Sequence, residues 1–132
     1  RFGQMLRPDW AEYFLAIAKA VSTRATCPRA SVGVIIVKGH RILATGYNGS
    51  PPGEEHCLDV GCLMVNNHCT RSVHAETNAI AQAAKFGASI DGATMYIYGI
   101  RHIDGEGFIN SCSACELVIK VAGIKEVVVP RS

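Results

Sequence analysis

Three features of the sequence predict an α/β protein with a three-layer α/β/α fold on a mixed β-sheet. The apolar patterning runs helix, strand, strand, helix, strand, helix, strand. The last two helices each sit between strands, and right-handed crossovers of that kind lay helices on the faces of a sheet. Composition supplies a core, since 48% of the 132 residues are hydrophobic and 18% are charged, unlike a charge-rich disordered chain. That length fits one domain over residues 1–132.

Each element has its own signal. Residues 7–24 read as an amphipathic helix, with Pro8 near its first turn and Trp10, Phe14, Ile17, Ala18 and Val21 at three- and four-residue steps. Residues 31–37 and 41–47 are β-branched, apolar stretches around Lys38-Gly39-His40, the pattern of a short hairpin. Residues 48–72 contain Gly49, Pro51, Pro52, Gly53 and Gly61 without a sustained period, so a long irregular segment is expected. Segments of that kind inside a compact domain are usually functional or cross-linked. Residues 74–86 carry Ala75, Ala79, Ile80, Ala83 and Ala84 before Gly87, which predicts a buried helix with a glycine stop. Residues 93–98 read as a strand, 113–122 as a second such helix ending at Gly123, and 125–129 as a final short strand. No internal repeat or low-complexity stretch interrupts this order.

Several function classes are disfavoured. No apolar run comes near a bilayer span, the stretch 32–37 being interrupted by Gly33 and ending at Lys38. The net charge is only +2 and the basic residues are scattered, which argues weakly for a nucleic-acid surface. Six cysteines would allow 15 disulfide connectivities. Their spacing suits metal ligation better: Cys112 and Cys115 form C-x-x-C, while Cys57, Cys62 and Cys69 are interleaved with His56 and His68. No signal-peptide pattern opens the chain at Arg1, and the cytoplasm is the expected compartment.

The chemistry concentrates at two helix starts, His74-Ala75-Glu76 and Cys112-Ser113-Ala114-Cys115. Ligands three residues apart in a first turn share a face, so both sulfurs can hold one ion while His74 supplies a third ligand from the neighbouring helix. Three protein ligands leave tetrahedral zinc an open position for water, the catalytic arrangement, and the helix dipoles favour thiolates there. Glu76 is then the unliganded general acid-base. A C-x-x-C alone would equally suit a redox pair or a closed structural site, and Glu76 alone a surface carboxylate at a helix start.

H-x-E together with P-C-x-x-C is the signature of the zinc nucleobase deaminases, and His74-Ala75-Glu76 with Cys112-Ser113-Ala114-Cys115 resembles it. Gly46-Tyr47-Asn48-Gly49-Ser50-Pro51, Thr26-Cys27-Pro28-Arg29, Ile42-Leu43-Ala44 and Ala122-Gly123-Ile124-Lys125 narrow this. Over nearly the whole chain the pattern resembles the deoxycytidylate (dCMP) deaminase family. The resemblance implies a cytidine-deaminase-like fold, hydrolysis of dCMP to dUMP and ammonia, and a homo-oligomer, commonly a hexamer. It implies that Asn48 holds the sugar hydroxyl and that Tyr47 and Gly49 lie where some members bind a dCTP or dTTP effector with Mg2+; Ala75 and Arg24 are further candidates for the substrate site. Two departures stand out: Ser111 replaces a proline before Cys112, and residues 99–110 form a longer lead-in to the C-x-x-C.

Other readings of single residues stay open. Asn48-Gly49 also suits a tight turn with a left-handed asparagine. Arg24 could meet a 5′-phosphate or simply complement a helix C-terminus. Trp10, Tyr13 and Phe14 suit core or subunit contact better than a base-stacking platform. His40 and His102 are expected to be solvated. Cys27, Cys57, Cys62 and Cys69 are candidates for a second, structural zinc that would order the irregular segment, with buried thiols as the alternative for each. Alternative functions are deamination of dCTP, of a 5-substituted dCMP or of nucleic acid, and a non-catalytic zinc-stabilised binding protein.

Overall fold

The computed structural model describes residues 6–50, 54–61, 64–65, 68–69, 73–102, 107–108 and 113–130. Along the chain these form α1 (Trp10–Ser22), β1 (Ala30–Lys38), β2 (Arg41–Tyr47), α2 (Cys57–Val60), β3 (Met64–Val65) and β4 (His68–Cys69). The second half supplies α3 (Ala75–Lys85), β5 (Thr94–Arg101), β6 (Gly107–Phe108), α4 (Ser113–Val121) and β7 (Glu126–Val128).

Strand β1 is central, and both its faces are covered, which explains its unbroken apolar run. Val32, Val34 and Ile36 face α3 and α4, packing with Ala75, Ala79, Ala83, Met95, Ile97 and Ile119. Ile35 and Val37 face α1 and pack with Phe14 and Ala18. Three layers result, α1 on one side of the sheet and α3 with α4 on the other, as the sequence predicts. Phe14 is 1% exposed, and burying such a side chain stabilises by about 1.5–3 kcal/mol.

The sheet is mixed. Strand β1 is antiparallel to β2 and to β5, while β7 runs parallel to β5. The far edge of β5 is shared, with Thr94 to Tyr96 pairing to β7 and Ile100 and Arg101 pairing to β6. The two crossovers expected from the sequence are therefore β2–α3–β5 and β5–α4–β7. The β1–β2 hairpin closes through Gly39 and His40, both at positive φ, which is the geometry of a two-residue type I′ turn.

Several boundaries differ from the sequence reading for identifiable reasons. Helix α1 starts at Trp10, because Asp9 is the N-cap and its carboxylate accepts the Glu12 N–H at 2.8 Å. Pro8 thus precedes the cap. Strand β5 continues to Arg101, so the lead-in begins as sheet and returns through β6. The irregular segment contains α2 and a β3–β4 pair in register Met64↔Cys69 and Val65↔His68. The stops at Gly87 and Gly123 are as expected: both have positive φ, and the next residue's N–H reaches back to Ala83 or Ile119.

Candidate active site

Helices α3 and α4 enter from the same face of the sheet, and their first turns bring His74 and Cys115 together. His74 approaches α3 in extended conformation (φ −65°, ψ 147°) and makes no side-chain cap bond to the helix. Its imidazole instead points at α4, with Nδ1 3.1 Å from the Cys115 Sγ. Zinc bonds of about 2.0 Å to nitrogen and 2.3 Å to sulfur would put two tetrahedral ligands about 3.5 Å apart. The observed separation is close to that, so the pair fits a shared ion. Cys115 is 3% exposed and Glu76, in the first turn of α3, is 6% exposed. Cys112 and Ser111 lie outside the described residues. The arrangement sets a soft sulfur, an imidazole and a buried carboxylate at two helix N-termini, whose dipoles favour anionic ligands.

Helix α3 is set against β2 by a glycine. A Cβ on Gly46 would lie 2.6 Å from the Ala75 carbonyl oxygen and 2.8 Å from the Ala79 Cα, so only hydrogen fits there. The Asn78 side-chain amide adds a tie, donating to the Tyr47 carbonyl at 2.7 Å. Gly49 then pairs with Val73, its N–H donating at 3.1 Å and its carbonyl accepting at 2.7 Å. The residue before His74 is thereby fixed to the Gly46-Tyr47-Asn48-Gly49 segment.

Asn48 continues the sheet through its side chain. The Val32 N–H donates to its Oδ1 at 2.8 Å, and its Nδ2 donates to the Ala30 carbonyl at 3.0 Å. Among the described residues, His40 is the only non-glycine at positive φ. The left-handed turn alternative for Asn48 is therefore not what forms: the amide mimics a backbone unit and extends β2 pairing along β1.

The remaining candidates are placed as follows. Ala75 is buried, Gly49 is buried against Thr26, and Tyr47 is 38% exposed. Arg24 is exposed beyond the C-cap Thr23, its N–H donating to the Val21 carbonyl. Cys27 is partly buried. The Leu58 N–H donates to the Thr26 carbonyl at 3.0 Å, which joins the chain around Cys57 to the chain around Cys27. Cys69 lies in β4, and Cys62 lies outside the described residues. Among the described residues, no group of three or more His, Cys, Asp or Glu side chains is gathered as for a metal ion.

Two histidines expected to be solvated have partners, although both are exposed. His40 stacks on Trp10 with ring centroids 4.0 Å apart, and the His102 Nε2 lies 2.9 Å from the Ser31 Oγ. Thr26 and Asn78 are structural members of the site without a role in the sequence reading. Asn78 had a signal, since it follows His74 by one helical turn on an otherwise Ala-rich helix. On the opposite face of the sheet, burial and then the Glu126 charge raise the pKa of the Tyr96 phenol.

The sequence profile of the cytidine and deoxycytidylate deaminase zinc-binding region matches residues 8–130. The deoxycytidylate deaminase of Mycobacterium phage D29 is 36% identical over 138 aligned positions, covering 96% of this chain and 98% of that protein. ComE operon protein 2 of Bacillus subtilis is 52% identical over 93 positions, covering 70% of this chain, which spans only 49% of that protein. The crystal structure of dCMP deaminase from cyanophage S-TIM5 in complex with dCMP and dUMP superposes with a TM-score of 0.75 at 31% identity, covering 95% of this chain and 83% of that one. A profile match across nearly the whole chain, on the three-layer fold with a histidine and a cysteine meeting at two helix starts, places this protein in the cytidine and deoxycytidylate deaminase family.

Proposed function

We propose that this protein deaminates dCMP, replacing the 4-amino group with water-derived oxygen to give dUMP and ammonia in pyrimidine deoxynucleotide metabolism. The 3.1 Å approach of His74 to Cys115, at the head of the helix that buries Glu76, carries the reading. His74, Cys112 and Cys115 would hold a zinc ion. When bound, zinc supplies Lewis-acid activation of water in a site with three protein ligands. Glu76 takes the first proton from the attacking water and delivers it to ring nitrogen N3. The same carboxylate moves the second proton, from the new hydroxyl at C4, to the departing amine as the C4–N bond breaks. Burial of Glu76 and Ala75 keeps bulk water from this relay. With one lone pair and one N–H of its amide used on β1, Asn48 retains one of each for a sugar hydroxyl. Ala75 borders the base, and Arg24 meets the 5′-phosphate.

Ammonia release from dCMP, dCTP, a 5-substituted dCMP, deoxycytidine, cytosine and a short oligonucleotide tests this. Preference for dCMP supports the reading. Preference for a triphosphate, a modified base or the oligonucleotide by more than about tenfold would replace the substrate and keep the chemistry. No release from any would leave a zinc-stabilised binding protein.

The same proposal extends to organisation, with the 132 residues as one deaminase-type domain. A second zinc on Cys27, Cys57, Cys62 and Cys69 is supported by the Thr26 to Leu58 hydrogen bond, which joins two of these segments. A homo-hexamer is supported by apolar side chains left exposed on α4 (Leu117, Val118 and Val121) and near β2 (Ile42 and Phe86). Tyr47 and Gly49 would serve a dCTP or dTTP effector with Mg2+. Among the described residues no helix is long and apolar enough to cross a membrane, and a cytoplasmic location is part of the proposal.

A further inference from the structure

We infer that Thr26 is a positioning residue, whose side-chain oxygen sets the Asn48 to Ser50 segment for nucleotide binding. The inference rests on the dCMP reading above. Thr26 is 7% exposed and meets this segment in three ways. Its N–H donates to the Asn48 carbonyl at 3.1 Å. Its Oγ1 accepts the Ser50 N–H at 3.2 Å. Its side chain also packs on Gly49 so closely that a Cβ there would be 2.6 Å from Oγ1. Through its carbonyl it accepts the Leu58 N–H, so the residue is a junction between three stretches of loop.

The hydroxyl oxygen is the adjustable part of this junction. Backbone bonds of Thr26 survive a change of side chain, but the Ser50 N–H has Oγ1 as its acceptor and loses it when the oxygen is removed. Asn48 is fixed on its N-terminal side by β2 and through its amide by β1. Its C-terminal side is fixed by Gly49, paired to Val73, and by Ser50, bonded to Thr26. Loss of the Oγ1 bond loosens that second side at Ser50, leaving the Gly49 pairing and the Thr26 N–H bond, so the amide groups offered to the sugar are held less firmly in direction. His74 and Glu76 are also held by the packing of α3 on Gly46 and by the Asn78 amide bond to the Tyr47 carbonyl, neither of which involves Thr26. Binding should therefore suffer more than chemistry.

Thr26→Val keeps volume and β-branching while removing the oxygen, and Thr26→Ser keeps the oxygen while removing the methyl. With zinc content and melting temperature measured for each, Thr26→Val should raise KM for dCMP about tenfold or more while kcat stays within about threefold. Thr26→Ser should stay within about twofold of wild type in both constants. Amide hydrogen exchange at Ser50 should accelerate in the valine variant and not in the serine variant. An unchanged KM in Thr26→Val, equal losses in both variants, a fall in kcat alone, or equal Ser50 protection would each overturn the inference while wild type still turns over dCMP. Wild-type protein releasing no ammonia from dCMP overturns the substrate reading itself, and the role of Thr26 falls with it.

Discussion

Replacing Gly46 by alanine tests whether the first turn of α3 is held in place by its contact with β2. The added Cβ would sit 2.6 Å from the Ala75 carbonyl oxygen, 2.8 Å from the Ala79 Cα and nearer still to the Ala79 nitrogen. Ordinary contact begins near 3.4 Å, so backbone must give way by about 1 Å at the nearest atom, and none of the atoms met belongs to a flexible side chain. Overpacking of this kind costs about 1–3 kcal/mol. In a chain of 132 residues, that lowers the melting temperature by roughly 3–15 °C. The displaced turn carries His74 and Glu76, and a misplacement near 1 Å can cost ~100-fold in rate. Gly46→Ala should therefore fold, melt lower, and lose about two orders of magnitude in kcat on dCMP. Circular dichroism melting and ammonia release at saturating substrate measure both. A melting shift below about 1 °C together with wild-type turnover would show that α3 can slide on the sheet, refuting the idea that Gly46 sets the site.

Three further outcomes are expected. Glu76→Gln should keep fold and zinc yet lose at least ~100-fold in turnover, because an amide cannot relay protons; activity within a few-fold of wild type would assign the relay to another group. Arg24→Ala should raise KM for dCMP much more than for deoxycytidine, which has no phosphate to lose, and equal effects would make Arg24 a helix-end cation only. Metal analysis should find more than one zinc per chain, and Cys57→Ser should lower melting more than kcat; a single zinc in carefully purified protein would remove the second site.

The fold was legible because local signals agree with one another. The apolar run of β1 marked a strand, and Gly87 and Gly123 marked the ends of α3 and α4. Helix α1 was read from periodicity, which placed Pro8 inside it, while the Asp9 to Glu12 cap marks its start. At the candidate site, residue type and spacing predict that His74 and Cys115 meet at two helix starts, and the structure brings them to 3.1 Å beside the buried Glu76. Side-chain bonds to backbone leave no comparable trace. Asn48 binding β1 and Thr26 binding Ser50 join positions distant in sequence, and no periodicity encodes them. Gly46 looked like part of a turn motif, but its use is close packing of a helix 29 or more residues further on, at Ala75 and Ala79.

The stack of Trp10 on His40 ties the opening turn of α1 to the tip of the hairpin, with the rings 10° from parallel. Trp10 is the only tryptophan of the sequence, so emission excited at wavelengths where tyrosine does not absorb comes from one indole, seated on an imidazole at the end of the sheet away from Asn48. Its emission reports docking of the hairpin tip on the helix without interference from a second indole. Separation of the tip would be visible as a spectral change while ammonia release continues, giving an optical reading of this edge of the molecule that is independent of turnover.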